Sequence, residues 1–221
     1  MPRPRRTANA DAPPRPSTPI RRRRVENTEK LVRVFCALEI DDAAKQAVDE
    51  GLRPIRNSLD RANWIYPGRW HVTVKFFGEI PESGLFELGN ALQTAVGERI
   101  PVQLRGAGAF PDLREPQVIW VGVRDAGEGM KNLYRRVNDV CVPLGYPPEG
   151  RKFRPHITVA RLRLSKAFPV ARELTPVLDS LFCETEFSRL TLYRSDMYED
   201  GAVYTVLRTM SLAQRARRPE E

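Results

Sequence analysis

Apolar and polar positions divide the chain near residue 30, and beyond it short apolar runs alternate with longer amphipathic ones. Leu31-Val32-Arg33-Val34-Phe35-Cys36-Ala37-Leu38-Glu39-Ile40 reads as a buried strand. Asp41 sits where a helix N-cap belongs, and Ala43 to Leu59 carries helix-forming residues. Arg61 to Gly68 reads as loop. Trp70, Val72, Val74 and Phe76 then alternate with polar neighbours, the signature of a half-buried strand, and Gly78-Glu79-Ile80-Pro81 ends it. Leu85 to Val96 has a helical period, Ile100 to Leu104 is a short strand, and Gly106 to Pro111 reads as a glycine-bearing turn.

The order then begins again. Gln117 to Val123 is a strand, Met130 to Leu144 is helical in period, and Gly145 to Pro155 is a loop rich in proline, glycine and basic residues. Ile157 and Val159 mark a second alternating strand, with Arg161 and Arg163 expected on its polar face. A weaker segment, Ala167 to Ser180, is a candidate helix. Phe187 to Ser195 and Ala202 to Leu212 are strands joined through Asp200-Gly201, a hairpin signal. This is an internal duplication in pattern: two α+β halves, each with a sheet. The two sheets are expected to face each other across a groove.

The chemistry lies in the two alternating strands. His71-Val72-Thr73-Val74 recurs as His156-Ile157-Thr158-Val159, and the protein has no other histidine. Residues i and i+2 of a strand share a face. Each motif therefore sets an imidazole beside a hydroxyl, with Val or Ile buried behind them. A neutral imidazole can take a proton from water, an imidazolium can give one to a leaving oxygen, and threonine hydroxyls can donate to charged oxygens. Together these suffice to hydrolyse a phosphate ester without metal. The plainer alternative is a pair of structural histidines in cross-sheet contacts.

Composition changes this picture little. The net charge is +8, but residues 1–24 hold eight arginines against one acid, Asp11, which leaves the remainder nearly neutral. Residues 1–30, rich in proline and arginine, read as a disordered basic arm. It is either a nonspecific nucleic-acid contact or a solubilising extension. Residues 31–213 read as one domain and 214–221 as a frayed tail. Cys36, Cys141 and Cys183 have no metal-binding spacing, and Cys36 is expected to be a reduced core thiol. No run is apolar enough to span a membrane and none resembles a secretory signal, so a cytoplasmic protein with no membrane partner is expected.

The residues around the two motifs resemble a known family. Trp70-His71-Val72-Thr73-Val74-Lys75-Phe76-Phe77-Gly78-Glu79 and Phe153-Arg154-Pro155-His156-Ile157-Thr158-Val159-Ala160-Arg161 look like the two-histidine phosphoesterases. Within these they are most similar to the bacterial and archaeal RNA 2′,3′-cyclic phosphodiesterase branch, also called 2′–5′ RNA ligase-like. Val34 to Leu38, Gly106 to Phe110, Val118 to Val123, Leu190 to Tyr193 and Tyr204 to Leu207 fit the same branch. The resemblance covers about Val32 to Leu212. It implies a bilobal α+β fold in which two pseudo-twofold-related antiparallel-sheet halves carry helices on the outside and enclose a central cleft.

The resemblance also implies an activity. RNA ends carrying a 2′,3′-cyclic phosphate would be opened to a 2′-phosphate with no metal and no cofactor, by a monomer. His71 would be the general acid and His156 the general base. Thr73 and Thr158 would bind the phosphate oxygens, with Arg161 as a further phosphate contact. Phe76 would stack on the terminal base or else pack in the core. Arg154 and Lys152 would steer RNA or else be solvated loop charges. Three alternatives stay open: 2′–5′ joining or small cyclic-nucleotide hydrolysis at the same site, a non-catalytic RNA-end-binding module, and a purely structural pair of motifs.

Overall fold

A computed structural model of the chain describes residues 29–60, 62–125, 127–162, 170–198 and 201–214. Residues 1–28 of the basic arm, Asp200, Arg163 and most of the tail lie outside the described residues.

The elements follow the hydrophobic pattern closely. Strand β1 (Leu31–Glu39) leads into helix α1 (Asp42–Arg56), whose N-cap is Asp41, with a side-chain oxygen accepting from the Ala44 N–H at 2.8 Å. Ala44, Val48, Leu52 and Ile55 form the buried stripe of α1. A two-residue strand β2 (Asn63–Trp64) precedes β3 (His71–Pro81), and helix α2 is Leu85–Ala95. Then come β4 (Ile100–Phe110), β5 (Val118–Arg124), α3 (Gly129–Cys141) and β6 (His156–Arg161). The short helix α4 (Ala171–Leu174) is followed by β7 (Leu181–Phe187), β8 (Arg189–Tyr198) and β9 (Gly201–Ser211). Cys36 is a buried free thiol, and burial pushes its pKa well above the ordinary range.

Several expectations are corrected. The segment read as loop at 61–68 contains β2, which is too short to show a period. The predicted turn at Gly106 to Pro111 is strand as far as Phe110. Gly106, at φ +73°, absorbs the irregularity as a bulge between Leu104 and Ala107, and a Cβ there would lie 2.7 Å from the Leu178 carbonyl oxygen. Strand β7 has no counterpart in the sequence reading. It is an edge strand whose Glu184 and Glu186 bond Gln103 and Arg99 across the β4 pairing, so its pattern reads as polar. Of the candidate helix at 167–180, the described part is one turn of α-helix and a 3-10 turn at Thr175–Val177.

The two halves also do not form two sheets facing each other. They are joined edge to edge in one nine-stranded sheet of order β7-β4-β5-β6-β3-β1-β8-β9, with β2 added beside β6. The joint is the antiparallel pair Val72↔Ile157, both fully buried. The chain crosses between halves: β4 and β7 extend the half of β6, while β8 and β9 return to β1. The core gathers Val34, Cys36 and Leu38 of β1, Val72 and Val74 of β3, and Ile157 and Val159 of β6, with the buried stripes of α1, α2 and α3.

Because Ile157 seals the joint, its truncation should be costly. Ile157→Ala is expected to lower the unfolding free energy in urea by about 2–5 kcal/mol. A loss below about 0.5 kcal/mol, the level of an ordinary surface substitution, would mean the joint does not hold the halves together.

Candidate active site

The Val72↔Ile157 pair fixes the geometry of both motifs. Counting outward in antiparallel register, His71 falls opposite Thr158 and Thr73 opposite His156. All four alternate away from the buried Val and Ile, and all four are half-buried. They form a rectangle with the two histidines on one diagonal, where the backbone positions of antiparallel neighbours stand about 7–8 Å apart. Neither threonine hydroxyl has a partner among the described residues, so both can donate to a ligand on this face.

Each imidazole is oriented by the same local device. His71 Nδ1 lies 2.8 Å from the Arg69 carbonyl oxygen and His156 Nδ1 lies 2.7 Å from that of Arg154. A carbonyl only accepts, so in both rings Nδ1 carries the hydrogen and Nε2 is left to exchange a proton with a ligand. The residue two before each histidine thus sets its tautomer, and the pattern of side chains gives no sign of it.

The strands share a second irregularity. On β3 the register against β1 shifts by one residue between Thr73 and Lys75, and on β6 the register against β5 shifts between Thr158 and Ala160. Strict alternation from His156 and Thr158 would lead to Ala160 and turn Arg161 away. The expectation that parity puts Arg161 on the histidine face is corrected: the bulge at Val159 reverses the parity, and that reversal turns Arg161 toward it. The same bulge on β3 exposes Phe76, at 51%. Phe76 and Arg161 are therefore equivalent positions of the two halves.

The two histidines differ in their surroundings. His71 sits among Phe35 (ring centroids 5.0 Å), Tyr204 (5.3 Å, edge-on) and Tyr193 (6.3 Å), whereas His156 meets Phe110 edge-on at 5.0 Å. Burial pushes Tyr193 up to about 12, helped by Glu39, so its hydroxyl keeps its proton at neutral pH. Glu39, the strand partner of His71, accepts from Arg189 Nε at 2.7 Å and Thr191 Oγ1 at 2.5 Å. These aromatic contacts connect residues far apart in sequence, so no short motif announces them.

Lys75 carries no sequence signal for its role. It is 1% exposed, and its Nζ donates to Asn138 Oδ1 at 2.8 Å and to the Pro147 carbonyl at 2.6 Å. It ties the strand of the first histidine to the helix and loop that precede the second. Phe153, stacked on Tyr134 at 4.4 Å, secures the same loop, where Lys152 and Arg154 are placed. Among the described residues no group of three His, Cys, Asp or Glu is placed to hold a metal ion, and no helix is long and apolar enough to cross a membrane.

Paired His-x-Thr strands joined at the centre of one antiparallel sheet, with helices packed on its apolar face, define a two-histidine phosphoesterase fold. The chain belongs to the 2′-5′ RNA ligase superfamily, whose family model matches residues 41–199. It is 31% identical over 149 residues to an RNA 2′,3′-cyclic phosphodiesterase of Aeropyrum pernix, covering 67% of this chain and 85% of that one. It is 28% identical over 184 residues to the Aquifex aeolicus protein of the same name, covering 80% and 96%. Among solved structures, TT0787 of Thermus thermophilus superposes with a TM-score of 0.69 at 28% identity, covering 83% of this chain and 100% of that one. Escherichia coli LigT bound to NADP+ shares the fold, with a TM-score of 0.66 at 21% identity and coverage of 84% and 100%.

Burial lowers the pKa of both imidazoles below the ordinary value. The backbone carbonyls oppose that lowering, and for His71 the charges of His156 and Arg161 add to it. Unfolded histidine titrates near 6.5. The unfolded chain therefore binds more protons than the folded one just below that pH, and stability should fall as pH drops through about 6.5. An anion between the rings reverses the sign by favouring imidazolium. Sulfate, whose charge is constant here, should bind more tightly at pH 6 than at pH 8, by up to about tenfold per pH unit between the free and bound pKa values. Calorimetric titration giving a pH-independent affinity would exclude proton-linked anion binding at this pair.

Proposed function

We propose that the protein hydrolyses RNA 2′,3′-cyclic phosphate ends to 2′-phosphates, using His71 as general acid, His156 as general base and no metal. The observation that carries this reading is the Val72↔Ile157 register, which sets two imidazoles, each with Nδ1 held by a backbone carbonyl and Nε2 left to a ligand, on neighbouring strands of one face. The names borne by the Aeropyrum pernix and Aquifex aeolicus relatives support it.

His156 Nε2 takes a proton from water as the water oxygen bonds to phosphorus. The bond from phosphorus to the 3′ oxygen breaks, and His71 gives its proton to that oxygen, leaving a 3′-hydroxyl and a 2′-phosphate. Thr73, Thr158 and the Arg161 guanidinium hold the non-bridging oxygens. In the free protein Arg161 and His156 both oppose a proton on His71. Once Arg161 engages the phosphate its opposition is cancelled, so substrate binding loads the acid. Phe76, exposed at the cleft, stacks on the terminal base.

Replacing either histidine by alanine is expected to cost about 10²–10⁴-fold in kcat on an RNA ending in a cyclic phosphate, with activity in EDTA unchanged. A phosphodiester with a good aryl leaving group needs little acid. His71→Ala should therefore be impaired much less on it than His156→Ala. Equal losses on both substrates would remove the assignment of acid and base, and wild-type rates in both variants would remove the catalytic reading.

A further inference from the structure

The twofold relation between the halves holds around the phosphate and fails beside it. Before His71, Asn63 and Trp64 pair with Arg161 and Ala160, and the Ile65 N–H donates to the Val159 carbonyl at 2.9 Å. Backbone thus closes the gap alongside β6. The equivalent stretch before His156, 85 positions on, is 148–150. It adds no strand to β3. Its contact there is a side chain, the Glu149 carboxylate, whose Oε1 accepts from the Phe76 N–H at 3.3 Å. Beside that contact a cavity of about 770 Å³ opens, reaching from Thr73 and His156 past Phe76 and Phe110 to Glu149. Its volume falls within the ~300–1,000 Å³ of small-ligand sites.

Glu149 is the one acid among the residues lining this cavity, which also include Arg151, Lys152 and Arg154. A carboxylate repels a polyanionic substrate unless it accepts hydrogen bonds from it. Its Oε1 is held by the Phe76 backbone, and its Oε2 accepts no bond from any described residue. Phe76 therefore offers a stacking face with an oriented two-oxygen acceptor beside it. Among the RNA bases, guanine alone presents two adjacent donors, N1–H and the N2 amino group, on its Watson–Crick edge. Adenine and cytosine set one amino group beside a ring-nitrogen acceptor, and uracil sets one N–H between two carbonyls; each would face the carboxylate with a lone pair.

We propose that Glu149 selects guanine as the terminal base of the RNA end, by accepting N1–H and N2–H while Phe76 stacks beneath. This rests on the hydrolase reading above and deepens it.

Short oligonucleotides ending in guanosine, inosine, adenosine, cytidine or uridine 2′,3′-cyclic phosphate test it. For the wild-type protein kcat/KM should favour guanosine over adenosine by about 5- to 150-fold, the range of a good bidentate contact, with the difference residing in KM. Inosine, which lacks the amino group, should fall between. Glu149→Ala and Glu149→Gln should each bring the guanosine value down to that of adenosine. The 2′-phosphate of guanosine should likewise lose its advantage over that of adenosine as an inhibitor of both variants. Equal rates on all five ends, or a guanine preference that survives Glu149→Ala, would overturn the role of Glu149 and leave the hydrolase reading standing. Hydrolysis of none of the five would overturn both.

Discussion

One cross-strand pair, Val72 with Ile157, governs everything that the cleft can do. Antiparallel pairing allows the facing residues one relative orientation, and alternation sends their neighbours to the opposite face. A slip of one residue would turn one strand over relative to the other, sending its imidazole toward the helices and exposing its Val or Ile. The fully buried aliphatic pair thus does more than contribute apolar area. It couples core packing to the geometry of the paired motifs, because the register that buries Val72 and Ile157 is the register that sets each histidine opposite the other half's threonine.

A rectangle of side chains is not yet an acid and a base. That requires the rings to share a tautomer and to differ in charge. The shared tautomer comes from the Arg69 and Arg154 carbonyls, two residues before each histidine. Mutual repulsion works against two imidazolium ions at once, since burial already disfavours imidazolium at both sites and a proton on His156 disfavours one on His71. The rings of Phe35, Tyr193 and Tyr204 pack around His71, whereas His156 has Phe110. Aromatic faces attract cations, which gives a proton loaded on His71 a partner that burial alone would deny it.

The sequence made some of this legible and hid the rest for identifiable reasons. His71, Thr73, His156 and Thr158 could be placed on a common face because alternation is a local property of each strand. Strict alternation sends Arg161 and Phe76 to the opposite face, so the parity expected for Arg161 is wrong; a bulge after each threonine reverses it, and a bulge is recorded in hydrogen bonding rather than in residue type. The run from Gly106 to Phe110 reads as a turn because glycine permits one; only the pairing of Ala107 to Phe110 with β5 identifies it as strand. Strand β7 is obscured because an edge strand need not alternate. Lys75 gives no signal because a lysine on a strand ordinarily faces water, and here the bulge on β3 sends it inward to Asn138 and Pro147.

Duplication supplies a symmetric site, whereas an RNA end is not symmetric. A phosphate has equivalent oxygens, and two equivalent His-Thr pairs suit it. The nucleoside it carries lies to one side, so the halves must diverge there. They do so in the segments before the histidines, each held to the other half's strand: Ile65 bonds Val159 of β6, and Pro147 accepts from Lys75 of β3. The first brace is backbone and fills its gap. The second is side chain to backbone, so it holds the loop without adding a strand to β3. A buried lysine costs desolvation, and burial does lower its pKa. An alanine such as Ala160, its counterpart on β6, would carry no such cost. The fold accepts that cost at Lys75 because an ammonium on a long stem reaches both Asn138 and the Pro147 carbonyl, and so anchors the loop that carries Glu149 and Arg154 along the cavity.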